Sequence, residues 1–422
     1  MGLINLDKLQ EIWFTIKQNK LRTFFTAFGV FWGIFMLVVM LGAGKGLHNG
    51  VSTGMGDMAT NSLFMWGKST TVPYKGFPRG RWVRFDNEDT KALIDNLPEI
   101  EHIAPRLEVS AREGQNNVIR KERTAAYSIK GDYPAYNLID PSNILQGRFI
   151  NFNDIQEKRK VVVIGKQVYD EMFDKDENPI GEYMKIRGVF FRVIGVSSSK
   201  KNDRQAEEEN QQIYMPFTTM QNTYNMGNRV GWYSITAKKG SSAAVVLEKA
   251  KIIMGQRHSI SPEDKRAIGS FNVEEQYKKM EGLFIGINGL IWIVGIGTLL
   301  AGVIGVSNIM LIIVKERTKE IGIQRALGAT PWQIRKQIVI ESVLLTSISG
   351  YIGLVVGVGI LETINYLLNE FNANSGMFSH PEVDFEKAVM ALVILVVAGA
   401  LAGFIPANRA VSIKPIDALR DE

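Results

Sequence analysis

Apolar residues are not spread evenly along this chain; they are gathered into runs. Residues 23–44, 282–314, 342–361 and 388–408 contain no charged side chain. A bilayer core of about 30 Å is crossed by about 20 apolar residues in a helix, so each run is long enough to span. Four buried helices of a large soluble protein fit less well, because core helices usually carry some charge over that length. The predicted fold class is an α-helical membrane protein with four transmembrane helices plus a large extracytoplasmic α+β domain of two lobes. The first run is not a cleavable signal: it is too long for the apolar part of one, and it leads into Gly42-Ala43-Gly44-Lys45-Gly46 without a clean small-residue exit.

Lysine and arginine orient the spans. Lys8, Lys17, Lys20 and Arg22 precede the first. Lys315, Arg317, Lys319, Arg325, Arg335 and Lys336 separate the second from the third, and Arg409, Lys414 and Arg420 follow the fourth. Residues 363–386 have neither lysine nor arginine but carry Glu370, Glu382, Asp384 and Glu386. Both termini on the cytoplasmic side satisfy this pattern. The predicted layout is a cytoplasmic interfacial helix (1–22), span one (23–44), an outer domain (45–280), a long span two with a stalk (281–314) and a cytoplasmic coupling segment (315–337). Span three (338–366), a short outer loop (367–387), span four (388–408) and a cytoplasmic tail (409–422) complete it. The interfacial helix rests on Leu6, Leu9, Trp13 and Ile16 at helical spacing; a plain extension of span one is the alternative. The second apolar run is 33 residues long, about 50 Å of helix at about 1.5 Å per residue. With 273–280 continuing it, the pattern predicts a rigid stalk projecting outward.

Between the first two runs the periodicity changes. Residues 61–66 read as a strand, Asp86 caps a helix through Asn96, and 107–110 return as a strand. Farther on, 232–237 is strand-like, Ser241 or Ser242 caps a helix over 243–254, and 270–273 can form a strand. These two β-α-β units are expected to make one split lobe, about 55–130 with 214–280, around an inserted lobe of about 131–213. The insertion has strands at 160–164, 183–186 and 190–196, a helix at 167–173 and a turn at Arg187-Gly188. Its polar exit, 197–212, holds Glu207, Glu208 and Glu209 and reads as a mobile, solvated loop.

Composition mainly excludes. The chain has 49 basic and 43 acidic side chains, net +6, of which +4 lies within 46–281 (34 basic, 30 acidic). The outer domain and the loop asymmetry account for that charge, so no nucleic-acid partner is implied. Absence of cysteine removes disulfides, thiolate metal sites and cysteine nucleophiles. His48, His102, His258 and His380 have no ligand spacing. Gly67-Lys68-Ser69-Thr70 imitates the end of a phosphate loop, but Ser62 stands where the motif needs its first glycine. It is read as a strand exit. Neither G-x-S-x-G nor H-E-x-x-H occurs. No catalytic, cofactor-binding or metal residue is assigned, and the chain is expected to catalyse nothing.

The most informative stretch is KERTKEIGIQRALGATPWQIRKQ, 315–337. Ile321, Ile323, Ala326 and Leu327 interleave with Glu320, Gln324 and Arg325 as a short amphipathic helix. Gly328 can end it, and Thr330-Pro331 can start the next. Such a helix can be a docking knob; a solvated loop that only serves the charge asymmetry is the bland reading. A second pattern, Gly29 and Gly33, is a G-x-x-x-G face suited to dimer packing; Gly353 and Gly357 form another, expected to pack within the subunit.

ERTKEIGIQRALGAT (316–330), with IESVLLTSISGYIG (340–353) and IPANRAVSIKPIDALRDE (405–422), resembles the MacB/FtsX-like permease family of ABC transporters. NKLRTFFTAFGVFWG (19–33), QGRFIN (146–151), VVVIG (161–165), NPIGEYMKIRGVFFRVIGV (178–196) and IYMP (213–216) are similar to its other segments, in order, over nearly the whole chain. Phe31, Trp32 and Phe35 make span one bulkier than usual, and Gln324 occupies a position often basic. The resemblance implies a MacB-like periplasmic core domain in the bacterial inner membrane, and an ATPase on a separate chain that binds the ATP and magnesium. It implies a dimer, of identical or paralogous permeases, that transmits ATP-driven motion to the periplasmic domain to drive export. Glu316, Arg317, Glu320, Ile321, Gly322, Ile323, Arg325, Ala326, Leu327 and Gly328 would contact the ATPase. An adaptor and an outer-membrane channel are further implied partners, beside membrane lipids. Activation of a periplasmic enzyme, lipoprotein release and ligand sensing by a membrane receptor stay open as alternatives.

Overall fold

The computed structural model describes residues 20–55, 58–110, 116–175, 177–201, 204–371 and 378–412. Most of the expected interfacial helix, the middle of the short outer loop and the end of the tail lie outside them. The chain divides into two compact units, a helical one (Met1–Val51 with Leu283–Glu422) and an α/β one (Ser52–Gly282).

Among the described residues four helices are long and apolar enough to span, as the charge-free runs predict. The first is the helix Lys20–Met55. Its Val30, Ile34, Leu37, Val38 and Leu41 are buried, while Phe24, Phe25, Phe28 and Trp32 are exposed. Bare glycine backbone lets its neighbours approach closely. A Cβ on Gly353 would stand 2.6 Å from the Phe31 carbonyl oxygen, and one on Gly357 2.9 Å from Val38 Cγ1. That is the expected use of the third span's glycines. Gly29 and Gly33 are a correction: a Cβ on Gly33 would lie 3.3 Å from Leu299 Cδ2, and one on Gly302 3.1 Å from the Gly29 oxygen. The pattern marks a close-packing face, but the second span of the same chain occupies it, so these glycines are not a free dimer surface. The third helix, Pro331–Glu370, starts earlier and ends later than predicted. The fourth, Phe385–Ser412, packs on it where a Cβ on Gly399 would meet Thr346 Oγ1 at 2.1 Å.

The second helix runs unbroken from Val273 to Glu316, 44 residues, about 66 Å at about 1.5 Å per residue. The predicted stalk over 273–280 is its first part. Glu274 in its first turn accepts from Ser242 Oγ (3.1 Å) and Ala243 N (2.5 Å). This ties the start of the long helix to the start of the helix Ala243–Arg257.

The α/β unit contains strands β1 (Ser62–Gly67), β2 (Phe85–Asp86), β3 (Ile100–Val109), β4 (Val118–Arg120), β5 (Arg123–Ala125), β6 (Ser128–Asp132) and β7 (Asn143–Gly147). After them come β8 (Val161–Gly165), β9 (Tyr183–Ile186), β10 (Val189–Ser198), β11 (Gln212–Pro216), β12 (Arg229–Val230), β13 (Trp232–Ala237) and β14 (Ile268–Asn272). The main sheet is ordered β14-β1-β13-β3-β6-β11-β8-β10-β9-β4-β5, with β7 beside β10. Most neighbours are antiparallel; β6–β11 and β8–β10 are parallel. The helix Asn87–Asn96 begins with the predicted Asp86 cap: Asp86 accepts from Asp89 N, and Asp89 returns the bond to Asp86 N. Ser242, not Ser241, caps the Ala243–Arg257 helix.

Two expectations change. Residues 118–125, read with the split lobe, join the insertion instead, β5 pairing with β4 and β4 with β9, while β6 lies at the junction between β3 and β11. Short strands carry little local signal for the partner they will find. The exit at 197–212, read as a mobile loop, is built: β10 runs to Ser198, and Arg204–Asn210 is a helix. Buried Lys201, 7% exposed, pairs with Glu209 and, at 3.5 Å, with Asp140. One of the three glutamates is therefore an internal counter-ion.

Another buried pair joins β3 to β6. Arg106 and Asp132, 3% and 0% exposed, make two parallel hydrogen bonds, and the guanidinium lies 3.3 Å from the Tyr136 ring centre. Burial works against the arginine's charge, but the adjacent Asp132 carboxylate outweighs it and keeps the guanidinium protonated.

Candidate functional site

The segment joining the second and third spans folds as a helix and a sharp turn. The long helix ends at Glu316, and Thr318–Ala326 follows as a short helix with Arg317 between. Arg317 Nε donates to Glu320 Oε2 (2.9 Å) and its Nη1 to Glu341 Oε1 (3.4 Å) on the third-span helix. Arg325 Nη1 donates to the Val411 carbonyl (2.8 Å) at the end of the fourth. These charges fix the short helix on its own unit. Glu316 lies exposed at the end of the long helix.

The apolar positions divide into two sets. Ile321 is 8% exposed and belongs to the apolar core of the helical unit with Val314, Ile334 and Ile338, and Gly322 is buried beside it. Ile321 was expected as an outward knob; it is instead an anchor, because position 321 faces the spans. Ile323, Ala326 and Leu327 face outward, with Ile323 44% and Leu327 83% exposed. Gln324, read from the sequence as exposed, is half-buried.

Leu327 closes the helix, and Gly328 takes a φ of +100°, a region that disfavours any residue with a Cβ. Ala329 N donates back to the Gln324 carbonyl at 3.0 Å, which completes a Schellman-type stop. Thr330 then accepts from Gln333 N while Gln333 Oε1 accepts from Thr330 N (2.8 Å), with Pro331 in the first turn. The predicted stop and start are both present. Sequence reading passed over Trp332, which is 70% exposed. It stands two positions from buried Ile334, on the opposite side of the helix, and that spacing was the available signal. Ile323, Leu327 and Trp332 thus give this turn three large exposed apolar side chains among polar neighbours.

Other candidate chemistry stays apart. Among the described residues no group of three or more His, Asp or Glu is placed to hold a metal. His258 Nε2 pairs with Asp89 at 2.7 Å, and Arg257 Nε reaches the same carboxylate at 2.6 Å. Burial opposes the charge on Asp89, but these bonds and the one from Asp86 N hold its carboxyl below the usual range. This cluster is structural, tying the helix after β2 to the end of the Ala243–Arg257 helix. Gly67-Lys68-Ser69-Thr70 leaves β1 as the expected strand exit.

A four-span helical unit with a large α/β domain between its first two spans and a docking-type helix before its third has the layout of an ABC transporter permease. The family model of the MacB-like periplasmic core domain matches residues 23–252, and that of the FtsX-like permease C-terminal region matches 292–415. The chain belongs to the MacB/FtsX-like permease family. It is similar to the pyoverdine export ATP-binding/permease protein PvdT of Pseudomonas entomophila, 27% identical over 417 residues, covering 99% of this chain and 60% of that protein. It is likewise similar to the macrolide export ATP-binding/permease protein MacB of Bdellovibrio bacteriovorus, 27% identical over 418 residues, covering 99% of this chain and 62% of that one. The chain thus spans about three fifths of the length of these curated relatives. Among solved structures, the periplasmic region of MacB from Actinobacillus actinomycetemcomitans matches at 17% identity and a TM-score of 0.42, over 53% of this chain and 94% of that one. Four apolar helices and the family together make it an inner-membrane protein.

Proposed function

We propose that the chain is the permease of a MacB-type ABC transporter and transmits the ATP-driven motion of a cytoplasmic ABC ATPase to its periplasmic-type domain, driving export. The observation that carries this reading is the unbroken helix Val273–Glu316. At one end Glu274 holds it to the α/β domain; at the other, one residue separates it from the Thr318–Ala326 helix. A change in an ATPase reaches a distant domain only through parts that contact both, and a continuous helix is stiff enough to be such a part. Ile323, Leu327 and Trp332 are the proposed contacts for a groove on the ATPase, which binds the ATP and magnesium. Gly328 supplies the turn, and Ile321, Gly322, Arg317 and Arg325 hold the element in place. Export is favoured because relatives over the full span of this chain carry export in their names.

The test is Ile323→Asp with Leu327→Asp. Both side chains are exposed, so membrane insertion and thermal stability should not change. Losing a desolvated interface anchor commonly costs about 2 kcal/mol or more, so the double variant should lose its ATPase in pull-downs from native membranes and fail to restore a deletion strain. Retained association and restored transport would refute the assignment. Orientation is tested separately by cysteines placed singly at Lys239 and Ser412: an impermeant maleimide should label only the first in intact cells.

A further inference from the structure

The α/β domain carries a cleft that ATPase coupling does not use. In β1, Phe64 pairs in register with Phe271 of β14, and Trp66 pairs with Trp232 of β13. Directly opposed residues share a sheet face, as do positions two apart on one strand, so four large rings stand on one side of three adjacent strands. The other side, with Leu63, Met65 and Ile235, belongs to the main core. Toward β3 the ring-bearing face is covered: Ala104, in the row of Phe64 through Ser234, is buried with Ala135 and Ile139. Toward β14 it is open. Trp82, bridged to Ser69, closes the side and is 57% exposed; Phe271 is 46% exposed. The open cleft has a volume of about 490 Å³, within the range of small-molecule sites.

The charged side chains that line it have one sign. Arg84 and Arg229 line the cleft, and among the described residues no acidic side chain does. Arg84 immediately precedes β2, and Arg229 opens β12, where it faces Asp86 in register. Both are exposed, and among the described residues neither guanidinium has a carboxylate within 4.0 Å. Exposed aromatic surface of this extent in a water-facing domain signals a binding site. Rings favour a flat apolar body, and guanidinium groups favour carboxylate or sulfonate oxygens. We propose that this cleft is a ligand site for small aromatic organic anions, with the ring system seated among Phe64, Trp66 and Phe271 and the anionic group at Arg84 and Arg229. The site needs no ATPase, so its failure and the failure of the coupling account can be told apart.

The full chain in zwitterionic lipid nanodiscs is titrated by calorimetry with naphthalene-1-sulfonate and with its neutral counterpart naphthalene-1-sulfonamide, with empty nanodiscs subtracted. The sulfonate should bind one per chain, about tenfold more tightly than the sulfonamide. Arg84→Ala with Arg229→Ala should erase that preference and leave sulfonamide binding within about twofold. Trp82→Ala, at an exposed position, should weaken both ligands by about threefold or more. Equal binding of the two compounds, persistence of the preference in the arginine variant, or no binding because another protein surface occupies the cleft would each overturn the proposal.

Discussion

In the α/β domain the tightest packing is made by large side chains, with Tyr233, Phe85, Phe191 and Phe217 almost wholly buried. In the helical unit it is made by their absence: Gly353, Gly357 and Gly399 admit a backbone or side chain where a Cβ would collide. The solvents explain the contrast. Water drives apolar surface inward, so the domain gathers bulk in its core. Lipid is as apolar as the side chains themselves, so the spans gain from close approach instead. One consequence concerns surfaces. Exposed Ile304 and Leu401 lie on candidate spans, where lipid satisfies an apolar surface and no protein partner is called for, whereas exposed Leu327 and Trp332 at the polar end of the bundle, or Trp82 on the α/β domain, call for one.

The contrast can be broken at several points. The largest effect is expected at Asp132→Ala, which leaves Arg106 buried and uncompensated; the domain should lose about 3–5 kcal/mol of unfolding free energy by denaturant titration. Changing both partners to apolar residues of similar volume should recover most of it, a rescue that a purely spatial role for Asp132 would not give. Next, Gly353→Leu must displace the Phe31 carbonyl, an overpacking of about 1–3 kcal/mol, seen as a lower thermal midpoint in detergent. Gly29→Leu with Gly33→Leu should do the same without changing the crosslinked dimer fraction, since the second span occupies that face. A selective loss of dimer would restore the reading made from the glycine spacing alone.

A smaller effect concerns acid. Asp89 is held below the usual range against the opposing effect of burial, by His258, Arg257 and the Asp86 N–H; Asp154 is held likewise by Arg148 and the Asn151 N–H. A carboxyl with a lowered folded pKa contributes stability that is present above its unfolded value and lost as pH falls through the folded one. Domain stability should therefore be insensitive to these groups from pH 8 to about 5 and decline below about 4. Asp89→Asn should flatten that decline. The smallest effect is expected at Gln324→Ala, half-buried but away from the exposed apolar set, with a change within about 0.5 kcal/mol.

How much of this was legible depended on whether the signal was local. Charge-free runs, the Asp86 cap and the Thr330-Pro331 start are written in a few consecutive residues, and the structure has them nearly where expected. The second helix could be followed from 273 to its inner end because nothing in that stretch breaks it. Partners were not legible. Gly29 and Gly33 announce a tight face without naming what fills it, and β4 to β6 carry no mark of the strands they join. Glu209 looks like its two acidic neighbours until Lys201 is folded against it. In the connecting segment, Ile321 and Ile323 read alike as knobs; only the position of the spans shows that one faces in and the other out.

The central claim is that the second-span helix carries motion from the ATPase to the α/β domain, and the absence of cysteine makes a direct measurement simple. In the dimer that the family resemblance implies, a nitroxide at Lys239 would report the separation of the two α/β domains, by electron–electron distance measurement in lipid nanodiscs with the ATPase, with and without ATP. ATP should shift the distance distribution in the otherwise unchanged protein. Three glycines inserted between Tyr277 and Lys278 should abolish the shift while ATP hydrolysis continues. A shift that survives the insertion would contradict the claim.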